Sequence, residues 1–135
     1  MTLKSQITTD TAPPAVGPYA QGVTALGFAF CSGQLPIDPA TGEVPAGIEA
    51  QTHQSLSNVA AVLAAGGSGM QHIVKTTVFL KNMSDFAVMN GIYASYFPGA
   101  APARSTIEVA RLPRDVLVEV EAIAIVVNGA PAVLP

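Results

Sequence analysis

The run VLVEVEAIAI, residues 116–125, alternates strictly between two sets of side chains. Because successive side chains of a β-strand point to opposite faces, this pattern predicts a strand with one fully apolar face for the core. The other face places two carboxylates among aliphatic neighbours, where an ionised group without a partner is costly. We therefore expect a cation nearby, or a raised pKa that the protein uses. The core face comprises Val116, Val118, Val120, Ala122 and Ala124, and the other face Leu117, Glu119, Glu121, Ile123 and Ile125.

Glycine and proline divide the rest of the chain into segments of contrasting periodicity. Runs of β-branched and aromatic residues predict strands at 28–31, 73–80 and 104–109, in addition to the strand at 116–127. Apolar stripes at helical spacing predict helices at 47–65 and 85–97, with Ser84 as the N-cap of the second. The order β, α, β, α, β, β predicts an α+β fold with the helices on one face of a mixed sheet.

A chain of 135 residues has the usual length of one domain, and we assign residues 1–135 to a single domain. Residues 1–11 are expected to form an irregular N-terminal arm, and residues 128–135 a C-terminal tail. Half of the residues are apolar, which excludes intrinsic disorder, and only 11% are charged. Because so few charges cannot cover a monomer, we expect some apolar surface to be buried between subunits.

Charge and cysteine content narrow the class of protein further. The net charge is -3, and the six cations form no basic run, which argues against a nucleic-acid binder. The single cysteine, Cys31, excludes an internal disulfide framework and fits a reducing compartment. The N-terminus has no apolar segment of signal-peptide length, and the apolar run at 122–127 is too short to span a bilayer. We therefore expect a cytoplasmic protein with no membrane partner.

The cation that the carboxylates of the last strand require can come from the strand at 104–109. Arg104 shares one face of that strand with Thr106 and Glu108, so pairing of the last two strands can place Arg104 on the same surface as Glu119 and Glu121. In one interpretation, this is a structural Arg–Glu pair that links strands or subunits. In the other, the guanidinium holds a substrate carboxylate through two hydrogen bonds, and a glutamate acts as acid or base.

Other candidate residues carry weaker signals. His53 and His72 have no partner at metal-ligand spacing, so we expect exposed or core histidines rather than metal ligands. Cys31 follows Phe30 in a predicted strand and is expected to be a core thiol. The GGSG run at 66–69 lacks the Lys-Ser/Thr of a phosphate-binding loop. Tyr19, exposed by the Gly-Pro turn before it, can be simply a packing aromatic.

Six blocks of the sequence, in order, resemble the RidA/YjgF family of enamine/imine deaminases. They are GPYAQGV, SGQLPIDPATGEVP, QTHQSLSNVAAVLAAGG, IVKTTVFLKNMSDFAVMN, YFPGAAPARSTIEVARLP and VEVEAIA. The resemblance implies a chorismate-mutase-like α+β fold and a homotrimer whose sheets form a central barrel, with clefts between subunits. It also implies hydrolysis of 2-aminoacrylate and 2-imino acids such as iminopyruvate to 2-oxo acids and ammonia, without a metal or organic cofactor.

The resemblance also assigns site residues. It implies that Arg104 of PARS binds the substrate carboxylate and that Glu119, the first glutamate of VEVEA, positions or activates water, whereas Glu121 is structural. Thr106 stands where many members have cysteine, and Ala101 where many have an aromatic residue, which bears on the pocket's size preference. The substrate-binding residues that the resemblance implies are Tyr19, Ser32, Gly33, Asn90, Arg104 and Thr106.

Two alternative functions stay open on the sequence. An endoribonuclease or translation inhibitor is an activity also attached to this family, although the net charge of -3 argues against tight RNA binding. A non-catalytic trimer that binds carboxylates or acts like a chaperone would need Arg104 as much as an enzyme does. Only turnover of an imine separates the deaminase from such a binding protein.

Overall fold

Six strands pair into one mixed sheet, and two α-helices pack on one of its faces, in the computed structural model, which describes residues 3–127. This arrangement confirms the predicted α+β class. The helices are α1 (Ile48–Ala65) and α2 (Phe86–Ser95), and short 3₁₀ turns occupy Met70–His72, Met83–Asp85 and Pro113–Asp115. The strands are β1 (Ser5–Ile7), β2 (Gly22–Ala25), β3 (Phe28–Gln34), β4 (Ile73–Leu80), β5 (Ala103–Glu108) and β6 (Val118–Ile125).

The strand order is β1-β2-β3-β6-β4-β5, so β6 lies in the interior of the sheet between β3 and β4. All neighbouring strands are antiparallel except β4 and β5, which are parallel and are connected through α2. A parallel pair needs such a crossover, because a tight turn cannot return the chain to the start of the next strand. The pairing of the last two strands considered above is wrong, since β4 separates β5 from β6.

The apolar face of β6 packs beneath α1, as the alternating pattern predicted. Burying a Leu or Val side chain is worth about 1.5–3 kcal/mol, so this contact is a main source of stability. The side chains that are 0–2% exposed and share one apolar cluster here are Leu56, Val59, Val62 and Leu63 of α1 and Val118, Val120, Ala122 and Ala124 of β6.

A second stripe of α1 is buried although it is polar. Ser55 Oγ donates to the carbonyl of Gln34 at 2.8 Å, and Asn58 Nδ2 donates to the carbonyls of Leu35 and Ile37 at 3.0 and 2.9 Å. The chain that leaves β3 therefore has its backbone acceptors satisfied by α1, as buried polar groups require.

Gln51 extends this polar stripe to two other segments. Its Nε2 donates to the carbonyl of Pro45 at 3.0 Å, and its Oε1 accepts from the N–H of Leu117 at 2.7 Å. One helix thereby fixes the loop after β3 and the start of β6 relative to each other.

The N-terminal region is more regular than the sequence indicated. Residues 5–7, expected to be part of an irregular arm, form β1 and place Ile7 in the core. Strand β2 was not predicted, because the turn to β3 uses Leu26 and Gly27 with φ of 52° and 83°, and leucine is not a typical residue for that conformation. The predicted strand at 28–31 continues to Gln34.

Two further expectations about element ends can be compared with the structure. Ser84 is not the N-cap of α2. It lies in the 3₁₀ turn, Asp85 precedes the helix, and no side chain of the described residues caps the helix. The predicted tail at 128–135 lies outside the described residues. Within residues 3–127, no helix has the length and apolar character needed to cross a membrane.

Candidate functional site

A pocket of about 620 Å³ opens where the N-terminal loop, the end of β3 and the start of β6 meet. It brings together four residues that the sequence assigned to the site, namely Tyr19, Ser32, Gly33 and Glu119. We call it the Glu119 pocket. Its remaining lining residues are Pro13, Pro14, Ala15, Val16, Gln21, Gln34, Leu35, Ile37, Gly42, Pro113 and Arg114.

Gly33 leaves the space that the Glu119 carboxylate occupies. The register between β3 and β6 shifts between Cys31 and Gln34, and this irregularity carries Ser32 and Gly33 out of the regular ladder. A Cβ atom built on Gly33 would collide with Oε2 of Glu119. The Ser32 hydroxyl donates to the carbonyl of Ala20 at 2.6 Å, so it ties the N-terminal loop to this bulge.

Tyr19 stands at the rim of the pocket and is 52% exposed. Its N–H donates to the carbonyl of Gly17 at 2.8 Å, and its hydroxyl accepts from the N–H of Val16 at 3.4 Å. The turn that the sequence predicted thus places Tyr19 on the lining of the Glu119 pocket and does not bury it as a packing aromatic.

Gln21 holds the N-terminal loop in place and was not singled out in the sequence. Its buried amide donates to the carbonyls of Thr9, Ala12 and Pro13 at 3.0, 3.3 and 2.8 Å and accepts from the N–H of Thr9 at 2.8 Å. These bonds use both N–H groups of the amide and one lone pair of its oxygen. The only signal in the sequence was a glutamine two residues after the tyrosine of GPYAQ.

The Glu119 side chain is half-buried, and burial raises the pKa of its carboxyl above the ordinary value of 4.5, with a further contribution from Glu121. The sequence left open whether burial or a nearby arginine dominates. Within this chain burial dominates, because Arg104 lies elsewhere, as described next.

Arg104 projects from β5 toward α2. Its Nη1 donates to Oδ1 of Asn90 at 2.8 Å, and its guanidinium carbon lies 4.7 Å from the ring centre of Tyr93 and 5.5 Å from that of Phe86. Cation–π contacts and a hydrogen bond of this kind fix the plane of the guanidinium. Thr106 lies on the same face of β5, and its hydroxyl is buried with no hydrogen-bond partner among residues 3–127. We call these five residues the Arg104 cluster.

The two groups of site residues lie on opposite faces of the sheet. Arg104 and Ala122 both pair with Thr76 of β4, so Arg104 shares the face of the apolar side chains of β6. Glu119 points away from the helices, on what we call the open face. The expectation that one chain places Arg104 beside Glu119 and Glu121 is therefore wrong, and the reason is that β4 intervenes with this register.

Cys31 and His53, which carried weaker signals in the sequence, lie outside the Glu119 pocket and the Arg104 cluster. Burial, with a smaller contribution from Glu121, raises the pKa of Cys31 to about 12, so the thiol stays protonated at neutral pH. His53 is exposed, and its Nδ1 lies 2.9 Å from the hydroxyl of Tyr96. Glu121 and Lys75 line a second pocket of about 230 Å³ on the open face. Residues 3–127 contain no group of three or more His, Cys, Asp or Glu that could hold a metal ion.

Comparison with known proteins gives consistent matches. A family model described as Endoribonuclease L-PSP matches residues 9–126. An Escherichia coli K12 protein named 2-iminobutanoate/2-iminopropanoate deaminase is 50% identical over 126 residues, covering 91% of this chain and 98% of its own. The crystal structure of the E. coli YjgF gene product is 51% identical, with a TM-score of 0.87 and coverage of 90% and 98%. That of E. coli TdcF with bound serine is 45% identical, with the same TM-score and coverage.

Proposed function

We propose that this chain, which belongs to the RidA/YjgF family described as Endoribonuclease L-PSP, hydrolyses reactive 2-imino acids to 2-oxo acids and ammonia. Its substrates would include 2-aminoacrylate and the imines named in the E. coli deaminase, 2-iminobutanoate and 2-iminopropanoate. The observation that carries the proposal is the half-buried carboxylate of Glu119, which has a raised pKa and no cationic partner among residues 3–127. Hydrolysis of an imine requires a positioned group that accepts and returns protons, and a raised pKa favours that role for a carboxylate.

The complete site would form between copies of the chain. Arg104 and Glu119 lie on opposite faces of one sheet, so one molecule cannot use both on the same substrate. A homotrimer with clefts between subunits would bring Arg104 of one copy to the Glu119 pocket of the next. Apolar side chains on the open face support such an assembly: Phe28, Phe30, Ile107 and Ile125 are 41–44% exposed.

In the proposed reaction, Arg104 binds the α-carboxylate and orients the C=N bond. Asn90 and the Tyr93 and Phe86 rings hold the guanidinium, which leaves its remaining N–H donors for two parallel bonds to a carboxylate. The related TdcF structure contains serine, a small molecule with such a carboxylate. The backbone N–H of Thr106, on the same strand, would add a further donor.

Glu119 would take a proton from water as the water oxygen bonds to the imine carbon. The nitrogen gains a proton, the C–N bond breaks, and ammonia leaves as the 2-oxo group forms, so that one water is consumed for each imine. Tyr19, Ser32 and Gly33 would shape the cleft around the reacting carbon. Water is the only co-reactant, and no metal or organic cofactor takes part in this scheme.

Complementation between inactive variants tests both the reaction and the shared site. Arg104→Ala and Glu119→Gln proteins should each lose hydrolysis of iminopropanoate generated in situ by an amino-acid oxidase. After the two are mixed, unfolded and refolded together, random assembly restores about one quarter of the clefts. Activity that stays at the level of the separate variants, in mixed trimers confirmed by mass, would contradict a site between copies.

A second candidate function rests on the family description, which names an endoribonuclease. The net charge of -3 and the two carboxylates on the open face do not favour binding of a polyanion. Cleavage of RNA that persists through repurification and disappears in the Glu119→Gln variant would favour the endoribonuclease. The single-domain organisation of residues 1–135 and the cytoplasmic location stay predictions from the sequence.

A further inference from the structure

The lining of the Glu119 pocket includes a cation that does not belong to the Arg104 cluster. Arg114 lines the same pocket as Glu119, and its Nη2 donates to the carbonyl of Gly42 at 3.3 Å. The side chain is exposed, and no carboxylate of residues 3–127 lies within 4.0 Å of its guanidinium. The proposed reaction gives this arginine no role.

The turn that carries Arg114 is held in an unusual conformation. Arg114 has φ 58° and ψ 18°, and Asp115 has φ 55°, a region that side chains other than glycine rarely adopt. Arg111 fixes the turn, because its Nε and Nη2 donate to the two carboxylate oxygens of Asp115 at 2.7 and 3.2 Å. Asp115, the carboxylate next to Arg114 in sequence, is thus already paired with Arg111. The Arg114 guanidinium therefore remains available for another partner.

The Glu119 pocket is larger than a short imino acid needs. Its volume of about 620 Å³ falls in the range of pockets that enclose drug-sized ligands. Its aliphatic lining residues include Val16, Leu35, Ile37 and Pro113. A substrate held by its α-carboxylate near Glu119 can therefore extend a methylene chain along these walls toward Arg114.

We propose that Arg114 is a specificity-determining residue that recognises a second carboxylate at the end of the substrate's side chain. The preferred substrates are then dicarboxylic 2-imino acids rather than the side-chain amides of the same size. This inference rests on the proposed deaminase function and names the substrate class of the same site.

The test compares the imines of glutamate and glutamine, and those of aspartate and asparagine, each formed in situ by a suitable oxidase. The measured quantity is the ratio of kcat/KM for the diacid to that for the amide, because a general loss of activity cancels in it. In the unmodified protein we expect a ratio of about 5, the upper range for a solvent-exposed ion pair, and a lower ratio in high salt.

A series of charge variants at Arg114 makes the test specific. Arg114→Lys should keep most of the preference, Arg114→Gln should bring the ratio to about 1, and Arg114→Glu should favour the amide. Lys4→Gln changes the net charge equally at an exposed residue outside the pocket and should leave the ratio unchanged.

Hydrolysis of iminopropanoate separates this inference from the proposed function. If no variant, nor the unmodified protein, hydrolyses it, the deaminase proposal itself fails. If the unmodified protein hydrolyses it but shows a diacid-to-amide ratio near 1, or if Arg114→Gln keeps the full preference, the role of Arg114 is overturned.

Discussion

The Glu119 pocket and the Arg104 cluster lie on opposite faces of one sheet, and they surround groups of opposite charge in different ways. Glu119 is a half-buried carboxylate with no cation of the described residues within 4.0 Å, and burial, with a contribution from Glu121, raises its pKa. Arg104 is a cation already supported by Asn90 and two aromatic rings, so its position is fixed before any ligand arrives. In the proposed reaction, the Glu119 pocket provides an acid–base group that is free to exchange protons. The Arg104 cluster provides a preorganised cation for the substrate carboxylate. Neither is a complete site.

Removal of the Glu119 carboxylate should give the largest effect. Glu119→Gln keeps the shape of the side chain but cannot accept a proton from water. We expect hydrolysis of iminopropanoate to fall by about 10²–10⁴-fold, the usual worth of a general acid or base, while the protein stays folded. Turnover close to that of the unmodified protein would remove Glu119 from the mechanism and reduce its pocket to a binding surface.

Substitution of the anchor tests the other region. Arg104→Lys keeps the charge but loses the planar donor fork and its stacking on Tyr93. A substrate held at only one point is poorly oriented toward the attacking water. Such misplacement can lower the rate on the order of 10²-fold. Melting temperature and oligomeric state measured on the same preparation are the control. If activity falls only in proportion to folded trimer, Arg104 is structural and the contrast between the two regions is lost.

A methyl group at Gly33 displaces the Glu119 carboxylate without deleting it. Gly33→Ala should lower kcat roughly tenfold, less than loss of the carboxylate, because the side chain can swing aside but leaves its productive position. Stability should change little, since the clash involves the flexible end of a side chain. Gly99→Ala is the matched control, because its added Cβ meets no described residue within 4 Å other than its two chain neighbours. Equal kcat values for the two variants would contradict the role given to Gly33.

The smallest expected effect is the pH dependence of stability. The pKa of Glu119 is raised in the folded state, so its stabilising contribution is full below about pH 4.5, its unfolded value, and is lost as the pH rises through the folded pKa. Relative to Glu119→Gln, the unmodified protein should lose stability as the pH rises above about 4.5. Urea midpoints at fixed protein concentration measure this difference. If the free energy of unfolding of the unmodified protein instead increases relative to that of Glu119→Gln as the pH rises, a cation contacts Glu119 in the assembled protein.

The faces of each strand could be predicted from the sequence, but not which strands are neighbours. Alternation along 116–125 correctly separated Val118 and Val120 from Glu119, because the period of two is a local property. The insertion of β4 between Arg104 and Glu119 depends on pairing across distant segments, which no local pattern encodes. Arg114 is present in the sequence, yet its place on the lining of the Glu119 pocket follows from the conformation of the turn at 113–115, across which Arg111 pairs with Asp115.

The position of β6 in the sheet also has a consequence for synthesis on the ribosome. Strands β3 and β4 contact each other only through β6, which is the last strand along the described chain. Until residues 118–125 emerge, the apolar side of α1 lacks the central strand on which it packs, and β3 and β4 each have an unpaired edge. The nascent chain therefore cannot build its structure stepwise from the N-terminus. We expect folding to begin only when β6 has left the exit tunnel and to be slow for a protein of this size, because so many of its contacts join distant segments.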